Sequence, residues 1–200
     1  VSLFTGAGGL DIGMERAGFV PRFVTDLEPS CVETLQANQA RGIKVSGGSQ
    51  HAFLKTADIR QADICALSGK SVRNRVRRRI DCVYGGPPCQ SFSSCDKMGS
   101  IADPRGILVF EFCRFVEEAR PRTFVMENVR GLVTARSDGG EPGGVLRQLV
   151  DRFEAAGYGV SVAVLNSADF GSFQRRVRCF VIGVDSGSPP EFPTPSHSKI

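Results

Sequence analysis

Short apolar runs alternate with helix-like stripes along most of this 200-residue chain. The strand-like runs are residues 1–4, 23–24, 80–84 and 123–126, with a weaker one just before Asp58. Between them, apolar residues recur every three or four positions, as Val32 and Leu35 do after Pro29, which predicts amphipathic helices. Two further runs, 160–165 and 177–184, have no helix-length spacer between them, which favours an antiparallel pair.

This alternation predicts an α/β fold, in which a mostly parallel seven-stranded sheet has an antiparallel last strand and helices on both faces. Ligands on such sheets bind at the edge where the parallel strands end. The features that follow predicted strands there are the glycine turn at 6–9, Asp26, Asp58, Cys89 and Glu127. We therefore expect them to converge on one site.

The turn Gly6-Ala7-Gly8-Gly9 follows a strand and opens a helix. Glycine allows a ligand to approach the backbone closely, and a helix N-terminus favours anionic groups. Asp26 lies 20 positions beyond Gly6, where an acidic residue can bind ribose hydroxyls. Two alternatives remain open: the glycine turn can be purely structural, and Asp26 can be a solvated Asp at the start of a helix.

The segment Gly85-Gly86-Pro87-Pro88-Cys89-Gln90-Ser91 is the sharpest motif in the sequence. Two prolines stiffen the turn after a strand, and core packing explains a cysteine at such a point poorly. A nucleophilic cysteine needs thiolate character and access, and a loop at a strand end can supply both. A redox-active thiol is the competing interpretation.

Two more groups of polar residues belong to the predicted site. Glu127-Asn128-Val129 follows the fifth strand, and a carboxyl group there can hydrogen-bond a substrate. In Gln174-Arg175-Arg176-Val177-Arg178, alternation puts Arg176 and Arg178 on one face, which suits an anion or a base carbonyl. A surface Glu and a solvated strand edge are the simpler alternatives.

Composition and charge restrict the function classes without choosing one. Apolar residues make up 41% and charged residues 23%, the net charge is +4, and no apolar run reaches 18 residues, so a membrane span is not expected. Seven cysteines form no C-x-x-C pair, which disfavours a metal site or disulfide framework and favours a reducing compartment. No secretory signal is visible, so an intracellular location is expected: the cytoplasm or nucleoid of a prokaryote, or a eukaryotic nucleus.

Two segments bear on the boundaries and partners of the domain. Residues 70–79 hold six basic side chains, but the run precedes the fourth strand, so we favour a solvated face over DNA phosphate binding. Residues 186–200 are rich in Pro and Ser and are predicted to be a linker that follows a domain at 1–185. Because the chain begins within a strand and without Met, we expect it to be part of a longer protein.

Taken together, the motifs resemble those of the DNA cytosine-5 methyltransferase family, from Val1 to about His197. The fold that the resemblance implies is the Rossmann-like one of S-adenosylmethionine-dependent methyltransferases. It also implies cofactor contacts for Phe4, Gly6, Gly8, Gly9, Asp26, Leu27, Asp58, Ile59, Pro88 and Leu108. Pro88-Cys89-Gln90 matches the nucleophile motif, Glu127-Asn128-Val129 the base-binding motif, and Gln174-x-Arg176-x-Arg178 the last catalytic motif.

The resemblance implies a mechanism on duplex DNA, without a metal. A cytosine is flipped out of the helix, and the Cys89 thiolate adds to its C6, with Gln90 beside the nucleophile. Glu127 hydrogen-bonds the N3 and amine edge, Arg178 holds the O2 carbonyl with support from Arg176, and C5 receives the methyl group of S-adenosylmethionine. The loop 91–105 is expected to close over the DNA.

The sequence also departs from the family pattern. Ser2 and Phe173 stand where the family usually has Asp and Pro, and no target-recognition domain or final helix follows residue 195. A later part of the protein or a partner chain is therefore expected to supply them. The alternatives are an RNA (tRNA) cytosine-5 methyltransferase and a non-catalytic DNA-binding module, and a restriction-modification role is the expected setting of a DNA enzyme.

Overall fold

The computed structural model describes residues 1–45, 51–88, 107–137 and 140–197, without the side chain of Ile107. Its strands are β1 Ser2–Leu3, β2 Phe23–Asp26, β3 Asp58–Gln61, β4 Cys82–Gly85, β5 Thr123–Val129, β6 Tyr158–Asn166 and β7 Val177–Asp185. Its helices are α1 Gly9–Arg16, α2 Pro29–Ala40, α3 Gly69–Val76, α4 Ile107–Ala119 and α5 Gly144–Ala155.

All seven strands form one sheet in the order β3-β2-β1-β4-β5-β7-β6. The first five pair in parallel, whereas β7 runs antiparallel to both of its neighbours, β5 and β6. This confirms the α/β fold with its antiparallel last strand. From β1 the chain moves to β2 and β3 on one side and then to β4 on the other side, so the direction reverses between β1 and β4. A crevice forms at this point, at the edge of the sheet where the parallel strands end. We name this edge the carboxyl edge.

The larger core lies between the sheet and the helices α3, α4 and α5. Val83, Phe112 and Phe124 are fully buried there, and the rings of Phe124 and Phe153 stack with centroids 4.1 Å apart. A second, smaller core joins β2 and β3 to α2 through Val24, Leu35 and their neighbours. The apolar stripes of α2, α4 and α5 therefore point inward, as the sequence predicts.

One part of the sheet is less well covered. Along β5 the residues alternate between buried and half-buried, with Phe124 and Met126 buried and Val125 half-buried. Ile182 and Phe180 pair across from Val125 and Glu127, and both are also half-buried. We call this side of β5 and β7, opposite α4 and α5, the open face.

Two elements differ from the sequence-based expectation. Helix α3 was not predicted; Ser68 caps it by accepting from the Ser71 amide, and Val72 is buried within it. In α1 the spacing of Leu10, Met14 and Ala17 predicts the buried face, but the buried residues are Asp11 and Glu15. Periodicity failed because this face of the helix meets hydrogen-bonding partners rather than a purely apolar surface.

Beyond β7, the described residues 186–197 contain no helix or strand but lie against the rest of the domain. The His197 amide donates to the Asp169 carbonyl at 3.0 Å, and a side-chain carbon at Gly159 would meet the Gly187 backbone. The boundary of the domain at residue 185 stays a prediction. Within the described ranges, no helix has the length and apolar character needed to cross a membrane.

Candidate functional site

The glycine turn follows β1 at the carboxyl edge, beside the crevice, and its backbone leaves the ordinary regions at three points. Phe4, Gly6 and Gly8 have φ values of 53°, 55° and 84°. At Gly8 a side-chain carbon would lie 2.8 Å from Leu35 Cδ2 and 2.9 Å from Phe53 Cζ, so only glycine lets α1 begin this close to the second core. For Phe4, a bulky residue, this conformation is strained, as backbone at binding sites often is.

Asp26 ties this turn to the end of β2. Its carboxylate accepts from the Gly6 amide at 2.8 Å and from the Glu28 amide at 3.0 Å. Each oxygen keeps further lone pairs, so the group can still accept from ligand hydroxyls. The neighbouring Leu27 side chain is 57% exposed, which leaves an apolar surface beside the carboxylate.

A buried carboxylate supports the turn from beneath. Asp11, on α1, accepts from the hydroxyl of Thr5 and, at 2.8 Å, from that of Tyr84 on β4. It therefore links β1, α1 and β4 under the crevice. Burial, together with Asp11, raises the pKa of Tyr84, so the phenol stays a donor. Sequence reasoning missed Asp11, although an acid one turn into a helix that follows a glycine turn was the available signal.

Asn128 fixes the Gly85–Pro88 turn against β5. Its side chain is 2% exposed, donates to the Pro87 carbonyl at 3.1 Å and accepts from the Val129 amide at 2.8 Å. At Gly86 a side-chain carbon would come within 3.1 Å of Glu127 Oε2, so the turn and Glu127 lie side by side. Pro88 is exposed at the end of this turn, while Cys89, Gln90 and the loop 91–105 lie outside the described residues.

Two arginines meet Glu127 at the carboxyl edge. Arg178 Nε lies 3.0 Å and Arg176 Nη2 3.8 Å from Glu127 Oε1. Arg178 is 23% exposed and Arg176 56%, so the first is held within the site and the second reaches it from solvent. Arg176 precedes β7, which begins at Val177. Both arginines nevertheless approach Glu127, in agreement with the shared face that the alternation predicts.

The expected position of Asp58 after a strand is wrong. Asp58 begins β3 and pairs with Phe23, so it lies at the opposite edge, where the parallel strands start and which we name the amino edge. Arg60 and Arg75 form ion pairs with its carboxylate. Burial raises the pKa of this carboxyl, but hydrogen bonds from Arg75 and Arg60 outweigh burial, and the net pKa is lowered.

The Asp-Ile pair that does follow β3 at the carboxyl edge is Asp63-Ile64. The Ala62 amide donates to the Asp26 carbonyl at 3.0 Å, and the Asp63 side chain accepts from the Cys65 amide at 2.9 Å. Asp63 therefore lies near Asp26, as the sequence analysis expected of Asp58. The repeat of Asp-Ile five residues later was the signal that sequence reasoning passed over.

The other predicted cofactor contacts divide between core and surface. Ile59 is 8% exposed and belongs to the second core. Leu108 is half-buried in the first turn of α4 and packs on the larger core. Among the described residues, no group of three or more His, Cys, Asp or Glu side chains is arranged to hold a metal ion.

Sequence comparison gives a consistent relationship. The family model of C-5 cytosine-specific DNA methylases matches residues 1–199. Type II methyltransferase M.AquIA of a Picosynechococcus strain is 38% identical over 98% of this chain and 76% of its own length. Type II methyltransferase M1.HphI of Haemophilus parahaemolyticus is 37% identical over the whole chain, which spans only 49% of that protein.

Solved structures agree in fold. A prophage-encoded Escherichia coli protein, described as a candidate DNA modification methyltransferase, superposes with a TM-score of 0.69 at 27% identity and covers 92% of this chain and 45% of its own. Dnmt2 methyltransferase of Schizosaccharomyces pombe gives a TM-score of 0.65 at 17% identity, over 95% of this chain and 50% of its own. The second likeness concerns the fold alone.

Proposed function

Because the chain belongs to the C-5 cytosine-specific DNA methylase family, we propose that it carries the chemical steps of an enzyme that methylates C5 of a cytosine in duplex DNA. Its cofactor is S-adenosylmethionine, and its fold is the Rossmann-like fold of the methyltransferases that use it. The observation that carries the proposal is Glu127, held 3.0 Å from Arg178 beside the Gly-Gly-Pro-Pro turn that leads to Cys89.

The cofactor crevice suits S-adenosylmethionine. The Asp26 carboxylate would accept from ribose hydroxyls, the exposed Leu27 and the half-buried Phe4 would flank the adenine, and the turn from Gly6 to Gly9 would follow the amino-acid portion. Asp63 at the end of β3, rather than Asp58, would meet the adenine edge. Leu108 and Pro88 would close the same side. S-adenosylmethionine supplies the methyl group that cytosine C5 receives.

Glu127 and the two arginines would bind the flipped cytosine. A carboxyl group can hydrogen-bond the N3 and exocyclic amine edge, and Arg178 can donate to the O2 carbonyl. Arg176, more exposed, would support Arg178 and contact the adjoining phosphate. This arrangement stabilises negative charge as it develops on the ring when a nucleophile adds to it.

Cys89 would be that nucleophile, with Gln90 beside it. The thiolate would form a bond to cytosine C6 while the C5–C6 π electrons pass to C5 and the pyrimidine edge. C5 would then take the methyl group that S-adenosylmethionine supplies, and the electron pair of the broken S–CH₃ bond would stay on the cofactor sulfur. A base then removes the C5 proton, the C5–C6 double bond returns, and the Cys89–C6 bond breaks with the electron pair returning to sulfur. The overall result exchanges the C5 proton for a methyl group.

Duplex DNA that contains 5-fluorocytosine tests this proposal, because fluorine at C5 cannot leave as a proton and the cysteine adduct persists. In the complete protein, or in this chain with whatever supplies its remaining part, we expect a stable adduct that Cys89→Ala abolishes and Cys31→Ala retains. No adduct from active protein would contradict the proposal and favour a non-catalytic DNA-binding module. Methyl transfer to tRNA but not to duplex DNA would favour the RNA enzyme.

The target sequence would be read by a region that the described residues do not contain. This is supported by coverage, since the chain spans about half of M1.HphI and of several other curated relatives. The open face of β5 and β7 is consistent with a further part of the protein or a partner chain against the sheet. The name of the relatives, type II methyltransferase, supports a restriction-modification setting for the whole protein.

A further inference from the structure

Within residues 1–45, 51–88, 107–137 and 140–197, five arginines gather at the edge of the sheet opposite the proposed active site. A cleft of about 860 Å³ opens at the amino edge of the sheet, between the end of α3 and the starts of β4 and β5. We name it the arginine cleft. It is lined by Arg73, Arg77, Arg78, Arg79 and Arg120, with Asp185 as its single acid.

Asp185 neutralises only part of this charge. One of its oxygens accepts from Arg79 at 2.7 Å and the other from Arg120 at 3.0 Å. The single negative charge of Asp185 is therefore shared by these two arginines. Within the described parts of the chain, Arg73, Arg77 and Arg78 form no ion pair. Arg77 and Arg78 are also exposed, so their guanidinium groups are available to an anion.

Arg77 adopts a conformation that does not favour arginine. It follows α3 with φ 54° and ψ 21°, the left-handed region in which helices commonly end on glycine. A side chain with a β-carbon is strained there, as it is at Leu54 and Ser186, which have φ values of 53° and 54°.

The position of the cleft separates it from the base-binding site. Arg122, just before β5, accepts at its carbonyl from the Asp185 amide, whereas Glu127 lies at the other end of β5. The four residue-to-residue steps from Thr123 to Glu127 span about 13 Å at roughly 3.3 Å per step. The arginine cleft and Glu127 therefore lie at opposite ends of β5.

The cleft contains arginines of the basic run 70–79, for which the sequence alone favours a solvated face. From their grouping in the structure we propose instead that the arginine cleft is a second, sequence-independent binding surface for the phosphate backbone of nucleic acid. Guanidinium groups form bidentate hydrogen bonds with phosphate, and several of them on one surface attract the dense negative charge of a duplex. The surface would hold a distant DNA segment while the carboxyl edge engages the cytosine. It deepens the proposed function, since it concerns the same DNA, but its contacts do not involve the target base.

A duplex of 20 A·T base pairs tests the cleft, because it contains no cytosine for the base-binding site. We measure its binding to the full 200-residue chain by fluorescence anisotropy across a series of KCl concentrations. For Arg77→Gln/Arg78→Gln we expect roughly tenfold weaker binding at low salt and a salt slope smaller by about 2, one unit for each lost phosphate contact. Methyl transfer and adduct formation report separately on the proposed function.

The matched control removes the same charge elsewhere. Arg41 and Lys55 are exposed near the β3 side of the sheet, and Arg41→Gln/Lys55→Gln should bind the duplex within twofold of the unaltered chain. Arg77→Gly guards against misfolding, since it should raise the thermal midpoint and still weaken binding. Equal binding by the two double variants, no binding by the unaltered chain, or tighter binding of polyglutamate than of DNA would each overturn the proposal.

Discussion

Asp26 satisfies backbone amides and is proposed to bind the cofactor, and the two roles can be separated by substitution. Asn at this position keeps one oxygen that can accept from a backbone amide. The other oxygen becomes an NH₂ group, which donates and therefore cannot accept from the second amide or from a ribose hydroxyl. We expect Asp26→Asn to weaken S-adenosylmethionine binding by about 10- to 100-fold, equivalent to roughly 1.5–3 kcal/mol for hydrogen bonds to a charged group. Calorimetry on the 200-residue chain measures this, and unchanged affinity would contradict the ribose assignment.

Asp58 provides the matched control, because it is also an acid beside β2 but lies at the amino edge. Asp58→Asn should leave cofactor affinity within twofold, whereas Asp63→Asn should reduce it. Asp58→Asn removes partly exposed ion pairs with Arg60 and Arg75, so we expect it to lower the free energy of unfolding by about 0.5–1 kcal/mol. Weaker cofactor binding by Asp58→Asn alone would return the adenine edge to Asp58.

The stability that Asp58 contributes depends on pH with a defined sign. Its pKa is lower in the folded protein than in the unfolded chain, so its contribution is complete above the unfolded pKa and is lost as the pH falls through the folded value. The stabilities of the unaltered chain and of Asp58→Asn should therefore converge below the folded pKa. Urea unfolding at pH 7 and at a series of acidic pH values measures both; a constant difference would show that charge is not the cause.

The sequence predicts some residues of the candidate site and not others. Alternation predicts that Arg176 and Arg178 share a face, and the turn before Cys89 is evident from its prolines. Asp58 was misplaced because β3 is short and polar, so its start and end carry no hydrophobic signal. Asp11 was passed over, and Asn128 was named within its motif without a role of its own, because their roles depend on long-range partners, Tyr84 and Pro87, that no local pattern reveals.

At the scale of elements, the turn between β4 and the nucleophile depends on one amide. Asn128→Ala would leave the Pro87 carbonyl and the Val129 amide without a buried partner, at a cost of about 1–3 kcal/mol for the lost group. We expect lower stability in urea unfolding and, in the complete enzyme, a fall in kcat of at least tenfold with little change in cofactor affinity. Asn128→Asp keeps the acceptor for Val129 and should recover part of the stability but not the contact with Pro87.

The end of α3 gives the opposite prediction. Arg77→Gly places the residue with least strain at φ 54°, and we expect it to stabilise the chain by about 0.5–1 kcal/mol after the entropy of the unfolded glycine is counted. Thermal unfolding measures the change. The neighbouring Arg78→Gly, which is not in the left-handed region, serves as control and should not stabilise the chain. Destabilisation by Arg77→Gly would mean that the arginine side chain makes a stabilising contact in solution.

The elements themselves divide along a physical line. Strands β1, β2, β4 and β5 and helices α2, α4 and α5 are buried by apolar side chains, and their periodicity predicts them. Helix α3 carries one buried apolar residue, Val72, together with two arginines and a lysine, so its sequence was interpreted as part of a solvated face. Helix α1 buries two carboxylates, Asp11 and Glu15, so the hydrophobic pattern indicated the wrong face. Pattern fails where hydrogen bonds rather than apolar area hold an element in place.

At the scale of the molecule, the sheet has one well-packed side along β5 and β7 and one open face. Val181 on β7 is fully buried against the larger core, whereas Val125 on β5 is half-buried on the open face. The same substitution, Val→Ser, therefore reports on each side. A fully buried Val loses its transfer free energy and leaves a cavity and an unsatisfied hydroxyl, about 2–4 kcal/mol, while a half-buried one should lose about half of that or less.

Urea unfolding of Val125→Ser and Val181→Ser in the 200-residue chain compares the two sides directly. We expect the free energy of unfolding of Val181→Ser to be lower than that of Val125→Ser by at least about 1 kcal/mol. The slope of this free energy against urea concentration should be unchanged in both variants. Repeating the measurement with the whole protein should narrow the gap if a further part or a partner chain covers the open face, because Val125 then becomes a core residue. Equal losses in the 200-residue chain would mean that the face is already covered by this chain in solution. A gap that stays unchanged in the whole protein would mean that no further part of the protein covers the open face.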